Sequence, residues 1–69
     1  MQEDLTGKWV EVTLVNGKKW IGVLEEWDEE ALFITNGNQF GAPNHKGAEC
    51  TNDEVSKVLE TSEREFAIS

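Results

Sequence analysis

The sequence predicts an all-β fold, a meander of short antiparallel strands that closes into a small barrel. Three observations carry this. Residues 8–15 alternate strictly, with Val10, Val12 and Leu14 to one side and Trp9, Glu11 and Thr13 to the other. Asn16-Gly17 and Asn36-Gly37-Asn38 are turn signals, since Asn and Gly tolerate positive φ. Between them, residues 7–35 read as three consecutive strands joined by two tight connections.

The first strand and the first turn set the register. A two-residue loop would pair Val15 with Lys18 and place Trp20 opposite the Val12 face. A three-residue loop, with Gly17 as the bulge glycine, pairs Leu14 with Lys18, Val12 with Trp20 and Val10 with Gly22. The second register is preferred. It gathers Val10, Val12, Leu14, Trp20 and Leu24 on one face and removes the side chain at Gly22, where the strand must bend most. The opposite face then carries Trp9, Ile21 and Val23, too apolar for plain solvent, so a partner chain or a second layer is expected over it.

Residues 25–30, EEWDEE, place Glu25, Glu26, Asp28, Glu29 and Glu30 around Trp27. Desolvating so many like charges is costly, so the tract reads as an exposed strand end and turn. As a functional element it would be an acidic patch for cations or a basic partner. Trp27 breaks the alternation set by Trp20 and Leu24, and a bulge after Leu24 would return it to the core.

Residues 31–35 form a short strand, with Leu32 and Ile34 on one side and Phe33 on the other. After the second turn, Gln39-Phe40 is expected to start a fourth strand that Gly41 and Pro43 soon interrupt. Residues 41–47 form a loop, in which His45 and Lys46 are decoration or ligand contacts. Residues 1–6 offer at most one helical turn.

Residues 49–69 admit two readings. Thr51-Asn52-Asp53-Glu54 fits a capping box, after which Val55, Val58, Leu59, Ser62 and Phe66 share a helical face. Alternatively residues 48–51 are a strand, 52–54 one tight turn and 55–60 a last strand. The meander needs a closing strand more than a lone helix, which favours the second reading. Phe66 and Ile68 would extend the last sheet or pack on its edge.

The chain has 69 residues and reads as one domain. A domain of this size buries only about 60% of the surface its unfolded chain exposes, so it often needs a disulfide, a metal or oligomerisation. Cys50 is the single cysteine and His45 the single histidine, so no disulfide within the chain, no metal site and no cofactor are expected. Self-association is the remaining support. Fourteen acidic against six basic residues give a net charge of −8. A surface that tracks phosphates needs clusters of Lys or Arg, and Lys18-Lys19 is the only such pair. A strongly acidic domain suits a basic protein surface instead. No apolar run approaches the roughly 20 residues of a membrane helix, and the polar, acidic start is unlike a signal peptide. A cytoplasmic protein without a membrane partner is expected. No carboxylate has a companion nucleophile, base or phosphate loop, so no enzyme is expected.

Gly7, Val10, Val12, Leu14, Asn16, Gly17, Trp20, Gly22, Leu24, Trp27 and Asp28 follow the spacing G-x-x-V-x-V-x-L-x-(N/D)-G-x-x-h-x-G-x-L-x-x-h-D, with h apolar. In these residues the chain resembles the first motif of the Sm-like family, which includes Sm, LSm and Hfq proteins. The match spans about a third of the chain. The resemblance implies a strongly bent five-stranded antiparallel barrel of SH3-like shape, whose edge strands pair between subunits. It further implies a homo-oligomeric ring of five to seven copies that binds single-stranded, often U-rich, RNA or scaffolds a ribonucleoprotein. The RNA-contacting segments would be residues 28–32 and 50–53, with Asp28, Leu32, Thr51 and Asn52 as the site residues. Leu32 stands where the family carries a base-contacting Asn, or Ala31 does if the turn is one residue shorter. Cys50, Thr51 and Asn52 stand where it carries I-R-G, so the arginine is absent. The expected subunit contacts are Trp9, Ile21 and Val23, with Trp9 foremost. The alternative expectation is an acidic protein-binding module on the same barrel. Some bacterial Sm-like proteins are similar in this respect: they are acidic and occupy the RNA-binding surface of a transcription termination factor.

Overall fold

A computed structural model describes residues 5–68. The alternating segment is a strand, β1 (Trp9–Leu14), that hairpins into β2 (Lys19–Trp27). Val12 pairs with Trp20 and Val10 with Gly22, the register of the three-residue loop. Gly17, at φ +90°, takes the left-handed position that the loop requires. The Lys18 carbonyl accepts from the Leu14 N–H at 2.8 Å, which closes the hairpin. β3 (Ala31–Thr35) pairs with the second half of β2. The ladder skips between Leu24 and Glu26, so Glu25 is the bulged residue and Trp27 returns to the core side.

β3 continues into residues 36–46, which form a loop where a fourth strand was expected at Gln39-Phe40. That expectation fails because this segment turns on itself. The Ala42 N–H donates to the Gln39 carbonyl and the His45 N–H to the Ala42 carbonyl, both at 3.0 Å. Backbone groups spent on such turns cannot enter a ladder. The fourth strand is instead β4 (Gly47–Thr51), antiparallel to β3. One 3-10 turn (Asn52–Glu54) follows, then β5 (Val55–Glu60) on the free side of β1. The strand reading of residues 48–60 therefore holds and the helix does not form. The Thr51-x-x-Glu54 signal is real but is spent on that single turn. Glu54 Oε1 accepts from the Thr51 N–H at 3.2 Å and from its hydroxyl at 3.1 Å.

A sixth strand, β6 (Ala67–Ile68), was expected only as an edge extension. It pairs with β2 at Trp20 and Ile21, beyond the end of β3. The result is an all-β, six-stranded antiparallel sheet of order β4-β3-β2-β1-β5, with β6 beside β2. The core lies on one face: Val10, Val12, Leu24, Leu32 and Ile34 are all at most 1% exposed, joined by Leu5, Leu14 and Cys50. Sealing one face of a single sheet this completely requires the sheet to curl around it. Gly22 permits the tightest approach. A Cβ there would stand 2.8 Å from the Thr35 carbonyl oxygen and 3.1 Å from both Ile34 Cδ1 and Phe66 Cδ1. Leu5 is buried at the start of the described residues; of the helical turn expected over residues 1–6, residues 1–4 lie outside them. Among the described residues no helix is long and apolar enough to cross a membrane.

Candidate functional site

β3 and β4 both begin or end at the same end of the sheet, and two turns meet there. In the first, residues 28–31, Asp28 Oδ1 accepts from the backbone N–H groups of Glu30 and Ala31, both at 2.9 Å. These bonds hold the Asp28 carboxyl below its ordinary value; the Ala31 bond is the stronger cause and the Glu30 bond the next. The second is the 3-10 turn. Asn52 ties them together. Its N–H donates to the Glu30 carbonyl at 3.0 Å, and its Nδ2 donates to the Asp28 carbonyl at 2.9 Å. Its Oδ1 accepts from Trp27 Nε1 at 2.9 Å.

This tie gathers Asp28, Glu29, Glu30, Asp53 and Glu54 at one end of the sheet. Two further carboxylates flank them. Glu26 pairs with Phe33, and Phe33 pairs with Glu49, so a half-exposed ring lies between two carboxylates in one cross-strand row. The Cys50 thiol senses this charge. Burial pushes its pKa up, and the negative fields of Glu54 and then Glu49 push it further. Glu25 is held apart by the bulge and accepts from the Thr35 hydroxyl at 3.0 Å.

A cleft of about 720 Å³ opens beside the two turns. Leu5, Leu24, Trp27, Asn52, Val55 and Val58 form much of its wall. Its volume lies in the range of ligand sites, about 300–1,000 Å³. Ser56 is the extra residue where the β1–β5 ladder shifts register, and it also lines the cleft.

The structure brings together both segments that the family resemblance marked for RNA. Ala31 pairs with Thr51 and Leu32 with Cys50. Their side chains are differently disposed. Leu32 is 0% exposed and has no surface to offer a base. Asp28 caps its own turn, and Asn52 spends both ends of its amide on the tie. Thr51 is exposed and donates to Glu54. The face expected to carry subunit contacts is partly covered by the chain itself. Trp9 pairs with Val23, and Gly37 of the loop after β3 lies over both. Val23 is buried, while Trp9 and Ile21 are half-buried, with Ala67 of β6 beside Ile21.

Sequence reasoning missed Glu49, Asp53 and Glu54 as members of the acidic end. The strand reading of residues 48–60 held the signal, because it places the 52–54 turn beside the 28–31 turn. The cleft had no sequence signal. Among the described residues, no group of three or more His, Cys, Asp or Glu could hold a metal ion. No family model matches the chain, and neither a curated protein nor a solved structure matches it.

Proposed function

We propose that the chain is a small acidic binding module of Sm-like barrel architecture, and that its acidic end docks on a basic protein surface. The observation that carries this reading is the Asn52 tie, which holds five carboxylates on two adjoining turns. Preorganised like charges pay their mutual repulsion in the free protein and recover it against a cationic partner. The same charges oppose a phosphate backbone. The test removes Glu29, Glu30 and Asp53, whose carboxylates take no part in the bonds that build the turns. A Glu29→Gln, Glu30→Gln, Asp53→Asn variant should lose capture of a polycationic peptide at low salt, and the wild type should lose it as salt rises. Equal capture by both proteins would sink the reading.

A second reading is a homo-oligomeric ring that binds single-stranded RNA. It is favoured by the adjacency of residues 28–32 and 50–53, and by the two ends of the sheet path, β4 and β5, each with an edge for a neighbouring copy. Titration of oligo-U and oligo-A at low salt separates the two. RNA binding that strengthens when the three carboxylates are neutralised would favour the ring.

A further inference from the structure

The chain carries the pair Asn-Gly twice, at Asn16-Gly17 and Asn36-Gly37. The pair is chemically weak. Its glycine has no side chain to keep the asparagine side chain from the next backbone nitrogen, and it leaves that backbone free to rotate. The fold sets the two copies in opposite surroundings, so it decides which one reacts.

Some features are shared. Each asparagine Oδ1 accepts from the N–H two residues on, Lys18 at 2.9 Å and Asn38 at 3.1 Å. Each glycine N–H is bonded too, Gly17 to the Leu14 carbonyl at 2.9 Å and Gly37 to Thr35 Oγ1 at 3.1 Å. The rest differs. Asn16 is exposed and Asn36 half-buried. Asn36 Nδ2 donates to the Asn44 carbonyl at 2.7 Å, and its Oδ1 accepts a second bond, from the Lys46 N–H at 3.2 Å. A Cβ at Gly17 would meet nothing within 4 Å, whereas one at Gly37 would stand 3.5 Å from Val23 Cγ2 and 4.0 Å from Trp9 Cζ2. One pair therefore sits in open water, and the other is clamped by its loop and packed on the sheet.

We infer that Asn16 is a site of self-modification, where the exposed hairpin loop converts asparagine to aspartate and isoaspartate, while Asn36 is protected. The backbone nitrogen of Gly17 gives its proton to hydroxide and attacks Asn16 Cγ. As the N–Cγ bond forms, negative charge develops on Oδ1, where the Lys18 N–H receives it. The Cγ–Nδ2 bond then breaks, and Nδ2 takes a proton from water and leaves as ammonia. Water opens the resulting cyclic imide at either carbonyl. Opening at Cγ gives aspartate; opening at the main-chain carbonyl gives isoaspartate, whose backbone runs through Cγ. One water is consumed and one ammonia released, with nothing oxidised or reduced. The aspartate product keeps an acceptor for the Lys18 N–H. The isoaspartate product puts an extra carbon into the loop that the Leu14–Lys18 bond closes. Either product adds a carboxylate to a chain whose net charge is already −8. That charge lands near the acidic end, because the Val15 N–H donates to the Glu54 carbonyl at 2.9 Å. The inference is independent of the basic-partner reading.

The test holds the full chain in warm, mildly alkaline buffer, folded and in urea, and follows both sites by mass after trypsin. Cleavage after Lys18 and Lys19 places Asn16 and Asn36 in different peptides. In the folded protein Asn16 should convert at least about tenfold faster than Asn36, since freeing the Asn36 side chain breaks two more hydrogen bonds. In urea the two rates should converge. Equal rates in the fold, a faster Asn36, or an Asn16 that stays intact while the chain in urea converts would each overturn the inference. Asn16→Gln gives a second readout. Its longer side chain would have to close a larger ring, so the acidic species that builds up in the folded wild type on isoelectric focusing should be absent. An acidic species that accumulates in this variant at the wild-type rate would place the reaction elsewhere and overturn the assignment.

Discussion

The indole N–H of Trp27 donates to Oδ1 of Asn52 at 2.9 Å, across twenty-five positions of sequence. Through that one amide the end of β2, the turn before β3 and the turn before β5 become a single unit.

Asn52→Ala should therefore cost about 1–3 kcal/mol, since it leaves the Trp27 N–H and the Asp28 carbonyl without their partner. Asn52→Asp keeps the acceptor and loses the donor, so it should recover part of the loss. Urea unfolding followed by tryptophan fluorescence measures both. A neutral Asn52→Ala would mean that the two turns hold without the tie.

Gly22→Ala is expected to destabilise by about 1–3 kcal/mol, the usual range for overpacking. The added carbon would meet the Thr35 carbonyl oxygen, which is backbone, at 2.8 Å and so cannot be cleared by a rotamer change. An unfolding midpoint equal to the wild type would show that the sheet can relax at its tightest bend.

Acid should weaken the turn at residues 28–31. The Asp28 carboxyl titrates below its ordinary 3.8 in the fold, because its charged form accepts two backbone N–H bonds. A depressed acid contributes stability above its unfolded pKa and loses it as pH falls through the folded value. The stability advantage of wild type over Asp28→Asn should thus be constant near neutrality and shrink below about pH 3.8. A difference flat across that range would contradict the assignment.

Cys50 should react slowly. It is 4% exposed, and burial, Glu54 and Glu49 all disfavour its thiolate. Ellman's reagent at neutral pH should label it far faster in denaturant than in the folded protein. Similar rates in the two states would mean that β3 and β4 open readily.

The first half of the fold was legible because its signals are local. Alternation in β1, the Gly17 loop and the Gly22 bend each follow from neighbouring residues, and the register came out residue for residue. The second half was ambiguous for a physical reason. The β1–β5 ladder shifts register between Thr13 and Leu14, so Val55 and Val58, three apart, both pack against the core. Three is also a helical spacing, and the Thr51–Glu54 capping signal added to the resemblance. The loop of residues 36–46 misled differently. Gln39-Phe40 has strand-like composition, but two asparagine side chains, Asn36 and Asn38, close the segment on itself. At the acidic end, residues 28–30 were legible as a charge run. Asp53 and Glu54 became members only once pairing placed their turn beside it.

The bulges at Glu25 and Ser56 have an effect on how the chain tolerates change. Side chains along a strand are assigned to faces by odd and even count, and each bulge adds one to that count. A residue at either position is surplus to the ladder, so taking it out restores plain alternation across it. Deletion of Glu25 would leave Leu24 and Trp27 two apart, both still on the core face, with Glu26 between them opposite Phe33. Deletion of Ser56 would likewise leave Val55 and Val58 two apart, facing Leu14 and Val12 in an unbroken ladder. Homologues of this chain should therefore vary by one residue in length at both places while keeping apolar side chains at Leu24, Trp27, Val55 and Val58.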